Sequence, residues 1–419
     1  MERTLVIANA CFSKEEANGR TLENLFSGAN KENLAQFFVY GNPDFRTCSR
    51  YYQISDKDAL KAVFSFTGTN GEVKEKKDAE GNTLERYQQK KVEKLPHKTP
   101  FKVLARECIW KLSERNRDFF WKWLEDFEPQ VVFLFIANNT FLIRLAIQVA
   151  KKYKIPIVMY TTEGYNFMDF NYFTNKPSII YRLYYLWLSK AYRDVAAYIK
   201  RGFFNNTLLR DDYQQMYDYP CECIMNSSSI DYAVNTKVVP YEDMQISYLG
   251  NLGLGRHKAL IEVAEALQKI DECLHLDVYG MAPDETVVSE LRKCKGIRYY
   301  GLIPYEEVVK VIHDSNLLVH AELNDPIVTR DLKYAFSTKI ADSVCSGTPF
   351  FVYANASLAE TVFLRKTECA FIANDQKDLK QVLLQALQDE EARKMVVTKA
   401  GYVREKYMTG NSALMQSLS

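Results

Sequence analysis

The stretch FSTKIADSVCSGTPFFV, residues 336–352, carries the clearest combination of local signals in the chain. Ser337 is a good N-cap, so the backbone N–H groups that follow it can face an anion, and Lys339 adds a positive charge there. Gly347 is expected to end the helix, and Pro349 to begin a buried strand of a parallel sheet. The same residues also fit an ordinary helix-to-strand connection with a surface lysine.

Asp342 follows Lys339 on the same helix, where a carboxylate can accept hydrogen bonds from ribose hydroxyls. The order lysine, acid, small residues, glycine, proline and apolar strand resembles a signature of the GT-B glycosyltransferases, in particular their retaining family four. This resemblance implies that Lys339 binds donor phosphates and that Asp342 binds the ribose. The family has a further glutamate eight positions earlier, where this chain has Tyr334.

Composition limits the class of protein. A chain of 419 residues is long for one core, so two domains are expected. The net charge of +1 argues against a nucleic-acid-binding protein. Nine scattered cysteines without metal-ligand spacing indicate buried free thiols in a reducing cytoplasm, and the N-terminus resembles no signal peptide.

Apolar strands alternate with helical patterns through the first half of the chain. Strands are predicted at 4–10, 34–40, 131–139, 156–162 and 196–204, with helices at 101–127, 141–155, 181–198 and 208–217. This alternation predicts a doubly wound parallel sheet. Gly19 lies where the first loop enters a helix; the sequence NGRTLENL there resembles the N-terminal loop of bacterial polysaccharide glycosyltransferases, although a plain surface turn explains it equally well.

Glu163 lies just past the predicted strand PIVMYTT, at the edge where ligands of parallel sheets bind. The resembling family commonly has histidine near this position. A carboxylate there could orient a sugar hydroxyl, act as an acid or base, or stabilise an oxocarbenium-like transition state. A turn-forming acid is the alternative.

Two segments of the first half remain open in function. Residues 68–98 are polar and charged, which is typical of a solvated surface loop, although long loops also form lids. Residues 181–198 interleave tyrosine and tryptophan with arginine and lysine. Such a helix either lies at a membrane interface or packs on the sheet, and packing is the more frequent outcome.

The second half opens with the strand ISYLG at 246–250 and the loop NLGLGRHK. The loop resembles the arginine- and lysine-bearing loop that neutralises the donor diphosphate in family four. Lys258 matches the lysine, Asn251 occupies the usual arginine position, and Arg256 offers a shifted replacement. With Lys339 these cations would stabilise a departing nucleoside diphosphate without a metal.

The remaining family-like positions lie further along this half. Gly280 follows the strand LHLDVYG and would allow close approach of the donor, and Ile303 lies where the family binds the nucleobase on backbone groups. No metal ligands are predicted, because Asp56 and Asp58 have the spacing of a DxD motif but are expected to cap a helix. His313 and His320 are interpreted as core or surface histidines.

The resemblance implies the GT-B architecture, with two Rossmann-like domains facing across a cleft. We expect an acceptor domain at 1–240, a donor domain at 241–400 and a C-terminal helix at 401–419 that crosses back to the first domain. The catalytic candidates are Glu163, Lys258 and Lys339; the donor-binding candidates are Gly19, Asn251, Arg256, Gly280, Ile303 and Asp342.

The function expected from the resemblance is transfer of a hexosyl-type sugar from a nucleotide diphosphate donor to a glycan or polyprenyl-linked glycan, with retention and without a metal or other cofactor. Such an enzyme would act in cell-surface polysaccharide biosynthesis, in the cytoplasm or at the inner face of the cell membrane. An inactive GT-B homologue serving as a scaffold is one alternative. A nucleotide-sugar epimerase is another alternative. It would need additional carboxylates and histidines in the cleft, and this chain has only five histidines.

Overall fold

The structure is a computed structural model that describes residues 1–13, 17–65, 68, 70–75, 99–228, 230–408 and 410–419. Most of the predicted surface loop at 68–98 lies outside the described residues. The chain divides into two compact units. The first comprises Met1–Phe204, Asp212–Glu222 and Asn411–Ser419; the second comprises Asn205–Asp211 and Cys223–Gly410.

The central strands are short, mostly apolar and buried, as expected for parallel sheets covered on both faces, whereas edge strands such as β4 and β8 are polar or only half-buried. In the first unit they are β1 Thr4–Ile7, β2 Leu34–Phe38, β3 Arg50–Gln53, β4 Glu72–Val73, β5 Val131–Phe135, β6 Ile157–Thr161, β7 Ile199–Phe204 and β8 Cys221–Cys223. In the second they are β9 Ile246–Leu249, β10 Leu276–Tyr279, β11 Ile297–Gly301, β12 Leu317–Ala321, β13 Phe350–Tyr353 and β14 Phe371–Ala373.

The helices follow the apolar periodicity of the sequence between these strands. They are α1 Ala17–Leu25, α2 Asp56–Ser65, α3 Pro100–Ser113, α4 Asp118–Glu125, α5 Thr140–Tyr153, α6 Ile179–Ala196, α7 Thr207–Met216, α8 Arg256–Gln268, α9 Glu285–Lys293, α10 Tyr305–Asp314, α11 Pro326–Asp331, α12 Thr338–Ser346, α13 Ala359–Thr367, α14 Gln376–Gln388, α15 Glu390–Val403 and α16 Ser412–Ser417.

The first unit is a doubly wound sheet with strand order β4-β3-β2-β1-β5-β6-β7-β8. The pairs from β3 to β7 are parallel, and β4 runs antiparallel to β3 at one edge. The direction of winding changes between β1 and β5, which is the position where open α/β sheets bind ligands. The strands β3 and β4 were not predicted from the sequence.

The second unit has strand order β11-β10-β9-β12-β13-β14, and all its pairs are parallel. In order along the chain this is 3-2-1-4-5-6, the order of a dinucleotide-binding sheet. Two apolar clusters form the core of the unit, one including residues of α8 and α14 and the other including residues of α12 and α13. The predicted α/β class with two Rossmann-like parallel sheets is therefore confirmed.

Two sequence-based boundaries are wrong. The helix predicted at 101–127 is two α-helices separated by a 3-10 turn at Glu114–Asn116, where the Asn116 side-chain amide donates to the carbonyl of Ala62 at 2.7 Å. The strand predicted at 196–204 begins only at Ile199. Ala196 is the last residue of α6, whose buried face continues as far as Val195, and Ala197 and Tyr198 form the turn between helix and strand.

The last residues of the chain belong to the first unit. The Asn411 side chain donates hydrogen bonds to the carbonyls of Leu25 and Ser27, both at 2.9 Å, and the Glu2 amide donates to the Leu418 carbonyl at 2.7 Å. None of the helices described is both long enough and apolar enough to cross a bilayer. The nine cysteines are free; four are buried as expected and three are half-buried, but Cys108 and Cys273 are exposed, so the expectation of burial is wrong for these two.

Candidate functional site

The polar side chains of the second unit gather at the carboxyl ends of β9 and β12, the two strands that flank its change of winding. Gly250 follows β9, and Glu322 follows β12. Arg256 begins α8, and Lys339 lies in the first turn of α12. Because this crevice is where doubly wound sheets bind ligands, we take these residues as the candidate donor site.

Arg256 is held in the crevice by a nearly buried ion pair with Glu322. Its Nε is 2.8 Å and 2.9 Å from the two carboxylate oxygens, and its NH2 nitrogen is 2.8 Å from Oε1. Burial opposes the charged guanidinium, but Glu322 outweighs it and raises the pKa of Arg256. The pairing fixes the guanidinium in one orientation, with donors that a second anion can use.

Lys339 lies beside this pair. Its ammonium group donates to the Tyr248 hydroxyl at 3.1 Å and lies 5.0 Å from the centre of the Tyr248 ring. Burial, followed by the positive charge of Arg256, lowers the pKa of Lys339 to about 8, against the opposing effect of Glu322 and Glu360. A lysine in this setting gains charge stabilisation when an anion enters the crevice.

The helix of Lys339 is built as its sequence predicts. The Ser337 side chain caps α12 by accepting from the Lys339 amide at 3.3 Å, and Gly347 ends the helix in the left-handed conformation with φ 81°. Between them, the Asp342 carboxylate accepts a hydrogen bond from the Ser228 hydroxyl at 2.6 Å. Asp342 is half-buried and lies one turn after Lys339 on the same helix.

His320 and Glu360 extend the cluster beneath Lys339. Of the two positions expected for His320, core or surface, the structure shows the core one, and its Nε2 is 2.8 Å from a Glu360 oxygen and 3.7 Å from a Glu322 oxygen. Burial alone would raise the pKa of Glu360, yet His320, Lys339 and the Ser337 amide together lower it. The buried carboxylate of Glu360 therefore carries a stabilised negative charge at the bottom of the crevice.

His320, Glu322 and Glu360 also form the one set of three potential metal ligands found among the described residues, with ligand atoms within 4.8 Å of one another. Arg256 already binds Glu322, and Lys339 contributes positive charge to Glu360. These side chains therefore neutralise the two carboxylates. Asp56 and Asp58, the DxD-like pair, have other partners: Asp56 accepts from Arg106 and Trp110, and Asp58 caps α2 through Ser55.

Two glycines allow the backbone to close over the crevice. Gly250 and Gly280 have φ values of 154° and 149°, which side chains rarely adopt. A Cβ at Gly280 would lie 1.8 Å from the Gly250 carbonyl oxygen, and one at Gly250 would lie 2.4 Å from the Lys339 side chain. Gly280 therefore packs against the Gly250 backbone too closely for a side chain, and its close approach to a donor stays a prediction.

The other predicted donor-site residues lie around this cluster. The Asn251 side-chain oxygen accepts from the Gly253 amide at 2.6 Å, so it shapes the loop before α8. Lys258 is exposed and lies about 200° around α8 from Arg256, on another face of the helix. Ile303 is half-buried in the loop after β11. The structure thus brings together Arg256 and Lys339, but not Lys258 with them.

Glu163 occupies the corresponding edge of the first unit, directly after β6. Its backbone is fixed by the Thr161 hydroxyl, which donates to the Glu163 carbonyl at 3.1 Å and accepts from its amide at 3.3 Å. The side chain is half-buried, and burial raises the pKa of Glu163 to about 7. A carboxyl with this pKa can give or take a proton near neutrality.

Aromatic and amide side chains of the first unit lie near Glu163. Burial, together with the neighbouring carboxylate, raises the pKa of Tyr165, and Asn138 donates to the Tyr172 hydroxyl at 2.9 Å. Shortly after β1, the Asn9 side-chain oxygen is buried and has no hydrogen-bond partner among the described residues. Gly19 packs against the loop after β1, where a Cβ would lie 2.7 Å from the Ser13 carbonyl oxygen.

Several members of these sites were missed from the sequence. Glu322 directly follows an apolar strand, as Glu163 does, so the same rule for strand ends would have found it. Asn9 and Asn138 also follow apolar strands. Glu360 and Tyr248 carry no such signal, because one lies inside a helix and the other inside a strand, and only packing brings them to Lys339.

Two doubly wound units in one chain define the GT-B class of fold, and solved structures of that class match this chain over its whole length. HepE of Anabaena in complex with UDP aligns with a TM-score of 0.60 and 10% identity, covering 100% of this chain and 99% of HepE. The lipopolysaccharide outer core galactosyltransferase WaaB, in its apo form, aligns with a TM-score of 0.57 and 11% identity, covering 99% and 98%.

Sucrose-phosphate synthase from Thermosynechococcus elongatus aligns with a TM-score of 0.59 and 11% identity, covering 100% of this chain and 98% of that enzyme. Identities this low establish a shared fold. No protein-family model matches the sequence. No curated protein matches it either.

Proposed function

We propose that this protein is a glycosyltransferase that resembles retaining family four and transfers a hexosyl group from a nucleoside diphosphate sugar without a metal. One observation carries the proposal: Arg256 and Lys339 converge at the change of winding in the second sheet of a GT-B fold. Two adjacent cations in a partly water-excluded crevice suit a diphosphate. The diphosphate is the leaving group of the proposed reaction.

In this proposal each donor-site residue has a separate task. Arg256, oriented by Glu322, and Lys339 bind the diphosphate oxygens, and the negative charge that develops as the sugar departs strengthens both contacts. Asp342, already an acceptor for Ser228, takes up a ribose hydroxyl. Gly250 and Gly280 have no side chains, so the ligand can approach their backbone closely. Ile303 and Asn251 shape the loops on either side of the ligand.

We assign the acceptor to the first unit. Glu163, with its pKa near 7, is the proposed acid or base for the acceptor hydroxyl, and the nearby tyrosines offer flat surfaces for sugar rings. The proposed acceptor is a glycan or polyprenyl-linked glycan of a cell-surface polysaccharide. The proposed location is the cytoplasm, including the inner face of the cell membrane. The resemblance assigns Lys258 to the phosphates, and its exposed position makes it the weakest of these assignments.

Thermal-shift measurements with UDP, GDP, ADP, dTDP and CMP, each with and without EDTA, test the donor site first. A ligand that binds only the folded protein raises its midpoint. We expect a shift with one nucleoside diphosphate that EDTA does not change and that Asp342→Ala removes. Release of that nucleoside diphosphate from its sugar conjugates then tests transfer; no shift with any nucleotide would contradict the proposal.

An inactive GT-B homologue that binds nucleotide without turnover is the second candidate. Tyr334, which stands where family four has its first glutamate, favours it: the residue is buried and its carbonyl accepts from Asn206. Binding of a nucleoside diphosphate together with no release from any sugar conjugate, across a panel of glycan acceptors, would support this candidate.

A further inference from the structure

The helices α3 and α6 of the first unit pack against each other and leave apolar side chains uncovered on their outer surface. Ile179 is 80% exposed, Phe101 67%, Leu186 52%, Leu112 51% and Leu183 49%. Single exposed apolar residues are normal, but neighbouring ones on packed helices mark a binding surface. We call these five residues, together with Trp187, the α3/α6 face.

The inner side of α6 is already satisfied by its tyrosines. Tyr181, Tyr184 and Tyr192 are buried, and their hydroxyls donate to the backbone carbonyls of Met168, Asn138 and Ala137. These tyrosines therefore pack α6 against the interior of the first unit, as the sequence led us to expect. Ile179, Leu183 and Leu186 follow one another at four- and three-residue spacing on the other side, where the core gains nothing from them.

Trp187 joins the two helices at the centre of the face. The Lys111 ammonium of α3 lies 5.3 Å from the centre of the Trp187 ring. Both residues line an open groove of about 570 Å³ with Cys108, Leu112, Glu114 and Arg115. Tryptophan beside a lysine is the combination found at the boundary between lipid headgroups and acyl chains.

The charges around the face are mainly positive, and the one carboxylate that lines the groove, Glu114, is paired with Arg144 at 2.6 Å. Among the residues of α3 and α6, the exposed basic side chains are Lys102, Lys111, Arg182, Lys190 and Arg193. The exposed acid on these helices is Asp194, which is already paired with Lys190 at 2.8 Å. An apolar stripe edged by cations complements a surface that is apolar inside and anionic outside, which describes a bilayer containing acidic phospholipid.

We propose that the α3/α6 face binds the surface of an anionic lipid bilayer. The aliphatic side chains and Trp187 enter the headgroup layer, and the surrounding lysines and arginines contact lipid phosphates. A role for this face in bringing the protein to a lipid-linked acceptor rests on the proposed function, because only a protein that transfers sugar needs such an acceptor. The binding itself needs neither donor nor turnover and is measured without them.

Vesicle sedimentation of the full chain tests this surface. We expect binding to vesicles of phosphatidylcholine mixed equally with phosphatidylglycerol, little binding to phosphatidylcholine alone, and release at high salt. The double variant Leu183→Asp/Leu186→Asp should lower the bound fraction at least about tenfold. Met395→Asp is the matched control, because Met395 on α15 is also 52% exposed, and it should bind as the unchanged protein does.

Equal binding by the double variant, or no binding to the mixed vesicles, would overturn the proposal. So would a self-association, seen by sedimentation velocity, that the double variant abolishes while vesicles remain unbound, because the face would then join two protein copies. The nucleotide thermal shift is measured on the same variants and should not change. If the unchanged protein shows no nucleotide shift, the proposed function is contradicted, whereas the conclusion from vesicle binding still holds.

Discussion

Arg256 and Glu322 form a bidentate ion pair whose partners are almost fully buried, with Nε 2.8 Å and 2.9 Å from the two carboxylate oxygens. Removing one partner of such a pair leaves an unpaired buried charge. Glu322→Leu or Arg256→Met alone should lower the free energy of unfolding by about 3 kcal/mol. The double variant should lose clearly less than the sum, which urea denaturation measures; additive losses would mean that the pair is not coupled in solution.

Lys339→Ala should reduce nucleoside diphosphate binding and sugar release, because it removes one of the two cations of the proposed phosphate site. The loss in turnover should be about a hundredfold or more, the usual effect of removing a group that stabilises transition-state charge. Lys310→Ala, on the exposed side of α10, is the control of equal charge change. Unchanged turnover in Lys339→Ala, with the fold intact by circular dichroism, would remove this lysine from the mechanism.

The lowered pKa of Lys339 predicts how the affinity for nucleotide changes with pH. The folded pKa of about 8 lies below the ordinary value of 10.5, so the ammonium loses its proton above pH 8. Diphosphate affinity should therefore fall between pH 7 and pH 9. Between pH 8 and 10.5 the unfolded chain binds more protons at this residue, so its contribution to unliganded stability rises with pH.

Isothermal titration calorimetry at several pH values measures the affinity change. Lys339→Arg keeps its charge over this range, so its affinity should vary less between pH 7 and pH 9. An equally steep fall in Lys339→Arg would assign the pH dependence to another group.

Glu163→Gln should flatten the pH dependence of stability. The folded pKa of about 7 lies above the ordinary value of 4.5, so the folded state holds this proton more tightly and stability falls as pH rises from 4.5 to 7. After allowance for the partial exposure of the Glu163 side chain, the free energy of unfolding should fall by about 1 to 2 kcal/mol over this range. Denaturation at pH 5 and pH 8 measures it. The same variant should lose the rise of transfer rate through pH 7 that a base at Glu163 requires.

Gly280→Ala should disturb the donor site through sterics. The new Cβ would lie 1.8 Å from the Gly250 carbonyl oxygen, so the two loops must separate. Gly28→Ala is the control, because Gly28 also has a positive φ, 79°, but open space around its Cβ position. We expect Gly28→Ala to cost about 1 kcal/mol of stability without affecting nucleotide binding, whereas Gly280→Ala weakens binding as well. Equal effects of both substitutions on binding would rule out the steric explanation.

Local patterns sufficed for much of this protein. Runs such as residues 5–7 and 131–135 are apolar at every position, as is typical of strands covered on both faces, and they predict the parallel sheets. Ser337 and Gly347 act within a single turn of the chain, so the start and end of α12 follow from the residues themselves. Lys339 and Glu163 stand at such element ends and were found for that reason.

The tertiary structure decided which charges meet. Arg256 and Lys258 are close in sequence, yet helical geometry separates their side chains and only Arg256 reaches Glu322. Glu360 and Tyr248 come to Lys339 from two different elements, His320 comes to Glu360 from a third, and no local signal encodes these encounters. The lowered pKa of Lys339 and the raised pKa of Glu163 are likewise consequences of burial. Sequence specifies the strands and caps because these depend on neighbouring residues, whereas the charged crevice depends on contacts between residues far apart in the chain.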